Sequence, residues 1–137
     1  MTGGVLLDTC ALLWLVEKAP FEQSTLEQVD AAARDGSLWV SPITAWEVGA
    51  LAASGRLVLS MPVDAWFDAV LALPGVNLVD LTPELYIASS FLPGSPPGDF
   101  ADRLFIAVAR SQTFTLITRD KALLSYAAEG HVRALAC

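Results

Sequence analysis

Four acidic residues stand where an apolar-rich chain has little reason to place charge. Asp8 ends the run Val5-Leu6-Leu7 and precedes Thr9, while Glu47 interrupts the stretch Ile43, Ala45, Trp46, Val48. Asp102 opens a segment that continues through the apolar residues 104–109, and Asp120 comes two residues after Leu116-Ile117-Thr118. An ionised carboxylate in apolar surroundings is costly unless it meets a donor, a cation or a proton. Helix capping accounts singly for Asp8 or Asp120, and a helix dipole for Asp102. Glu47 falls mid-helix, where no such account applies. Converging carboxylates repel one another, and hard oxygen donors of this kind suit Mg²⁺ or Mn²⁺. Such an ion lowers the pKa of a bound water and offsets charge on phosphoryl oxygens, so the predicted chemistry is phosphodiester hydrolysis.

For that chemistry the acids must meet, and the element pattern brings them together. Val5 to Leu7 read as a strand buried on both faces, followed by a helix over 9–17 that Pro20 ends. Ser24 and Glu27 form a capping box that opens a helix to about Arg34, with Leu26, Val29 and Ala33 facing inward and Asp35-Gly36 as its stop. A strand over 38–41 leads into a helix with Pro42 in its first turn, closed by Gly55. A helix over 62–73, a strand over 76–81 and a helix from Thr82-Pro83 to about Phe91 follow. Residues 92–98, rich in Pro and Gly, make a loop. A helix over 100–112, a strand over 115–118, a helix over 120–128 and a strand over 132–135 complete the chain. Strands alternating with helices predict a three-layer α/β/α architecture with a central parallel sheet of four to five strands, in one domain over 1–137. Sites in open parallel sheets form beyond the carboxyl ends of the strands, and all four acids fall near that edge.

With 137 residues, 54% of them hydrophobic, the chain is long enough to bury a core and too apolar for disorder. No apolar run reaches the ~18 residues of a membrane span and no signal-peptide pattern is present, so a cytoplasmic location is expected. Cys10 and Cys137 read as free thiols, Cys10 as a packed small hydrophobe. His131 lacks the partners of a catalytic triad. The net charge of −7 opposes a nucleic-acid partner, but acids gathered around a cation are partly neutralised by it. Arg103 and Arg119 each follow a site acid, and phosphate grip and pairing with the acids are equal readings of both. Trp14, Trp39, Trp46 and Trp66 lie in apolar runs and are expected in the core. Asp99 shares a face with Asp102 or caps its helix. The apolar surplus over residues 43–71 is a candidate dimer or antitoxin surface.

Together, Val5-Leu6-Leu7-Asp8-Thr9, the segment 41–48 with Gly55-Arg56-Leu57, the segment 99–107 and Leu116-Ile117-Thr118-Arg119-Asp120 resemble the PIN-domain family, more narrowly the VapC-type toxin ribonucleases. The resemblance implies Asp8, Glu47 and Asp102 as central metal-binding acids, Asp120 as the fourth, and Thr9 and Thr118 as hydroxyl support. It implies Mg²⁺- or Mn²⁺-dependent cleavage of RNA leaving a 5′-phosphate and a 3′-hydroxyl, a homodimer, and silencing by a VapB-type antitoxin. Relatives with this Trp-Glu helix often carry a lysine in its next turn; here Gly49-Ala50-Leu51-Ala52 provide no cation. Two rival readings are a phosphoacceptor signalling domain, with Asp80 as acceptor and Asp8 on Mg²⁺, and a catalytically silent interaction module.

Overall fold

The run that the sequence marks first, Val5–Leu7, is strand β1 at the centre of the sheet. The computed structural model describes residues 3–137. In chain order β1 is followed by α1 (Thr9–Val16), α2 (Gln23–Asp35), β2 (Leu38–Val40), α3 (Pro42–Ala53), α4 (Val63–Leu71) and β3 (Val76–Leu78). Then come α5 (Pro83–Ser90), α6 (Phe100–Gln112), β4 (Thr115–Thr118), α7 (Lys121–Ala128) and β5 (Arg133–Ala136). The strands lie in the order β3-β2-β1-β4-β5 and every pair is parallel.

This order runs outward from β1 in one direction and then, from β4, in the other. The winding reverses between β1 and β4, and beyond their carboxyl ends the chain leaves to opposite layers, into α1 and α7, which opens a crevice. Leu7 pairs with Ile117 in register, so Asp8 and Thr118 emerge side by side. Period-two alternation divides the core: Val5, Leu7 and Ile117 pack with α1, α2, α4 and most of α3. Leu6 and Leu116 face the opposite layer, built from α5, α6 and α7. A three-layer α/β/α sandwich results, as expected from the sequence, and no helix among the described residues is long and apolar enough to cross a membrane.

Several local expectations are corrected. Glu22, not Ser24, caps α2; its carboxylate accepts from the Ser24 N–H at 3.2 Å and from the Ser24 hydroxyl at 2.9 Å. The buried stripe of that helix is Thr25, Val29 and Ala32, one position out of phase with Leu26 and Ala33, because Thr25 Oγ1 donates to the Ala136 carbonyl across the layer. Strand β3 stops at Leu78, and Asp80 beyond it is exposed at the sheet's edge. Of the tryptophans, Trp66 is buried, Trp39 is partly buried and stacks on Phe114 at 5.3 Å, and Trp14 is partly buried. Trp46 is 64% exposed, so it leaves the core altogether. Cys10 is exposed too, rather than packed, whereas Cys137 is buried, and both are free.

The loop over 92–98 is pinned rather than open. Tyr126 donates its hydroxyl to the Pro93 carbonyl at 2.7 Å, and the Ser95 N–H donates to Glu129 at 3.0 Å. Arg103 donates to the carbonyls of Ser89, Ser90 and Pro97. The arginine therefore joins α5 and the loop to α6, and neither sequence reading of it, phosphate grip or acid pairing, describes what it does. Arg119 similarly donates to the Cys137 carbonyl at 2.7 Å and lies 4.3 Å over the Trp14 ring. It fastens the end of β5, and no Asp or Glu pairs with it among the described residues.

Candidate active site

At the crevice, each acid arrives by a different local route. Asp8 leaves β1 in extended conformation and caps α1, its carboxylate accepting from the Ala11 N–H at 2.8 Å. Asp120 caps α7 by accepting from the N–H groups of Ala122 and Leu123, and its own N–H donates to Thr118 Oγ1 at 2.9 Å. Asp99 caps α6 through the Asp102 N–H at 2.9 Å, which fixes the first turn from which Asp102 projects. Glu47, on α3, accepts from the Thr9 hydroxyl at 2.5 Å, and Thr9 Oγ1 lies 3.0 Å from the buried hydroxyl of Thr44. Capping and convergence thus coexist. The residues that close helix ends also line one cleft of about 400 Å³, bounded by Asp8, Thr9, Cys10, Trp46, Glu47, Arg56, Asp99, Asp102, Phe105 and Asp120 among others.

Electrostatics in this cleft follow from burial and crowding. Burial pushes Asp8 up to about 6, against the lowering effect of the Thr118 hydroxyl and the Ala11 N–H, with Glu47 and Asp120 adding repulsion. Burial and then repulsion from Asp120, Asp99, Asp8 and Glu47 raise Asp102 to about 7. Asp102 stands higher than the more deeply buried Asp8 because no hydrogen bond offsets its neighbours. Glu47 is also raised, chiefly by burial, although the Thr9 hydroxyl holds it down. Among the described residues no three His, Cys, Asp or Glu side chains form a ready-made cage for one ion. The donor set still fits Mg²⁺ or Mn²⁺, which bind through one or two carboxylates and keep several waters. It consists of oxygen donors, and the burial and mutual repulsion that raise Asp8, Glu47 and Asp102 are what a bound cation would relieve.

Sequence reasoning overlooked Thr44 and Arg56. Thr44 lies within the segment 41–48 that carries the family resemblance, but no role attaches to it there. Arg56 was part of a recognised segment without a role. Its position is set by the end of α3, where the Gly55 N–H donates to the Ala52 carbonyl at 3.1 Å and the Arg56 N–H to the Leu51 carbonyl at 2.9 Å. This is a Schellman closure, and Gly55 sits in the left-handed region at φ +77° that it requires. The turn swings Arg56 back to the cleft, so a cation is present although α3 itself has none.

The PIN domain family profile matches residues 5–129. The chain is a PIN-domain protein. Within that family it is similar to Ribonuclease VapC22 of Mycobacterium tuberculosis, with 32% identity over 123 residues, which is 89% of this chain and 91% of the relative. That likeness assigns this PIN domain to the VapC ribonucleases. Its fold matches a chain of the VapBC2 structure from Rickettsia felis, bound to a promoter DNA fragment, at TM-score 0.68 and 15% identity over 96% of this chain and 97% of the other. It likewise matches DNA-bound VapBC from Salmonella typhimurium at TM-score 0.68 and 15% identity, covering 98% of both chains.

Proposed function

We propose that this PIN domain is a metal-dependent endoribonuclease in which Asp8, Glu47, Asp102 and Asp120 hold Mg²⁺ or Mn²⁺. The observation that carries the reading is that carboxylates more than 110 positions apart along the chain line one cleft at the switch point of the sheet. When bound, the ion supplies a water of lowered pKa and positive charge to set against the phosphoryl oxygens. The chain's own residues prepare the site. Asp8 and Asp102 would hold the cation as carboxylates, Thr9 orients Glu47, and Thr118 stands between Asp8 and the Asp120 backbone. Asp99 holds the first turn of α6 and with it Asp102. Hydrolysis forms a bond from the water oxygen to phosphorus and breaks the bond to the 3′ oxygen, which takes up a proton. The products are a 5′-phosphate and a 3′-hydroxyl.

A VapB-type antitoxin as silencing partner and a homodimer belong to the same reading. They are supported by the VapBC character of similar structures and by the exposed apolar side chains Tyr86, Ile87, Phe91 and Phe100. Those side chains lie on or beside α5 and the start of α6; within residues 43–71 Trp66, Phe67 and Val70 are taken up by the core, while Trp46, Val58 and Met61 stay exposed. The phosphoacceptor alternative fails on geometry, since Asp80 lies beyond edge strand β3 and does not line the acid cleft. Cleavage of total RNA in Mn²⁺ tests the proposal. Asp8→Asn and Glu47→Gln are each expected to lower cleavage by about a hundredfold or more with the thermal midpoint nearly unchanged, because asparagine still caps a helix. Undiminished activity in both variants would reject the site, and an inactive wild type would leave an interaction module.

A further inference from the structure

Two residues that line the cleft with the acids, Arg56 and Trp46, make no side-chain hydrogen bond or ion pair among the described residues. Arg56 is the cation of the cleft and is exposed, and among the described residues the one ion pair is His131 with Glu129 at 3.9 Å. The other arginines of the sheet's carboxyl side, Arg103 and Arg119, are consumed by backbone carbonyls. Arg56 is held at its backbone by the Schellman closure while its guanidinium is left without a partner. Trp46 neighbours Glu47 on α3 and is 64% exposed, although an indole gains greatly from burial. Its ring borders both the acid cleft and an adjoining apolar groove formed with Pro42, Ile43, Leu81, Tyr86 and Phe100.

We propose that Arg56 and Trp46 are the substrate-gripping pair of this site, Arg56 binding a phosphate beside the scissile one and Trp46 stacking on an unpaired base. The inference rests on the nuclease reading and narrows it to RNA that is single-stranded at the cut. An indole at the rim of the cleft meets a base face only when that base is out of a duplex, where aromatic side chains and arginine planes take bases up without reading their sequence. Charge supports the same occupant. In a chain of net charge −7, one uncommitted guanidinium among carboxylates is matched to an anion that approaches the metal-binding acids.

The test uses the full-length chain carrying Asp102→Asn to stop hydrolysis, with a 5′-fluorescein single-stranded RNA 12-mer of mixed sequence followed by anisotropy in Mn²⁺. Arg56→Ala is expected to weaken binding about tenfold and to reduce the slope of log affinity against log salt by about 0.7, with Arg56→Lys restoring most of both. Trp46→Ala is expected to weaken binding by a similar factor. Trp46→Phe should bind nearly as the parent while losing most of the RNA-induced quenching of tryptophan fluorescence. In the otherwise native enzyme, both alanine variants should raise KM more than they lower kcat. Binding and quenching unchanged in Arg56→Ala and Trp46→Ala, in an enzyme whose wild type cuts RNA, would overturn the pair alone. A wild type that neither binds nor cuts any RNA would overturn the nuclease reading and the pair with it. A duplex 12-mer bound as tightly as the single strand would refute the stacking role.

Discussion

At the scale of single residues, the site depends on hydroxyls as much as on acids. Thr9 serves two partners at once: it donates to Glu47, and its oxygen faces the fully buried hydroxyl of Thr44. Replacing it with valine keeps the volume but frees Glu47 and strips Thr44 of its partner. Thr9→Val is expected to lower kcat by roughly 10–100-fold through loss of carboxylate orientation, and to cost about 1–3 kcal/mol for the unsatisfied Thr44 hydroxyl. Thr9→Ser should recover most of the rate. Cleavage kinetics with a denaturant melt of each variant would separate the two effects, and a full rate in Thr9→Val would show that Glu47 needs no guide.

At the scale of elements, the turn between α4 and β3 is the most constrained connection. Gly75 sits at φ +82°, and a Cβ there would lie 1.8 Å from the Ala33 carbonyl oxygen at the end of α2. Because the obstacle is backbone, relief requires moving a whole helix. Gly75→Ala is expected to destabilise the fold by roughly 3 kcal/mol, from overpacking together with the left-handed conformation. Urea unfolding monitored by circular dichroism gives the check; a loss below about half a kilocalorie would mean that the turn yields freely. Much of the element order was legible beforehand, since Pro42, Gly55 and the apolar runs around Asp8 and Asp120 carry local instructions for strand ends and helix starts. Glu47 was legible as well, as a charge in a helix with no cap to close. Side-chain destinations that depend on helix phase against the sheet were not. Trp46 and Trp66 sit in equally apolar runs, and only the docking of α3 turns one outward while α4 turns the other in. Arg103 reads from the chain equally as a phosphate ligand or a partner of the acids, and its carbonyl partners appear only when the 92–98 loop folds across it.

For the molecule as a whole, the concentration of negative charge at one rim makes stability depend on protons and cations. Asp8 and Asp102 have folded-state pKa values of about 6 and about 7, raised from 3.8. The folded chain therefore binds protons that the unfolded chain has already released. This contribution to stability is complete below pH ~4 and is lost as the pH rises through 6 and 7. Metal-free protein should melt at a lower temperature at pH 8 than at pH 5. Mn²⁺ should raise the midpoint strongly at pH 8 and little at pH 5, where it must displace two protons. Differential scanning fluorimetry with and without EDTA would show this; equal stabilisation at both pH values would mean that the ion binds elsewhere. The reversal of winding beside β1 carries one more consequence. During synthesis, Asp8 and Glu47 leave the ribosome before β4, the neighbour that completes the crevice, and before Asp102 and Asp120. A half-made polypeptide thus carries only two of the four acids, and the machinery that makes this nuclease is spared its chemistry until the last third of the chain is free.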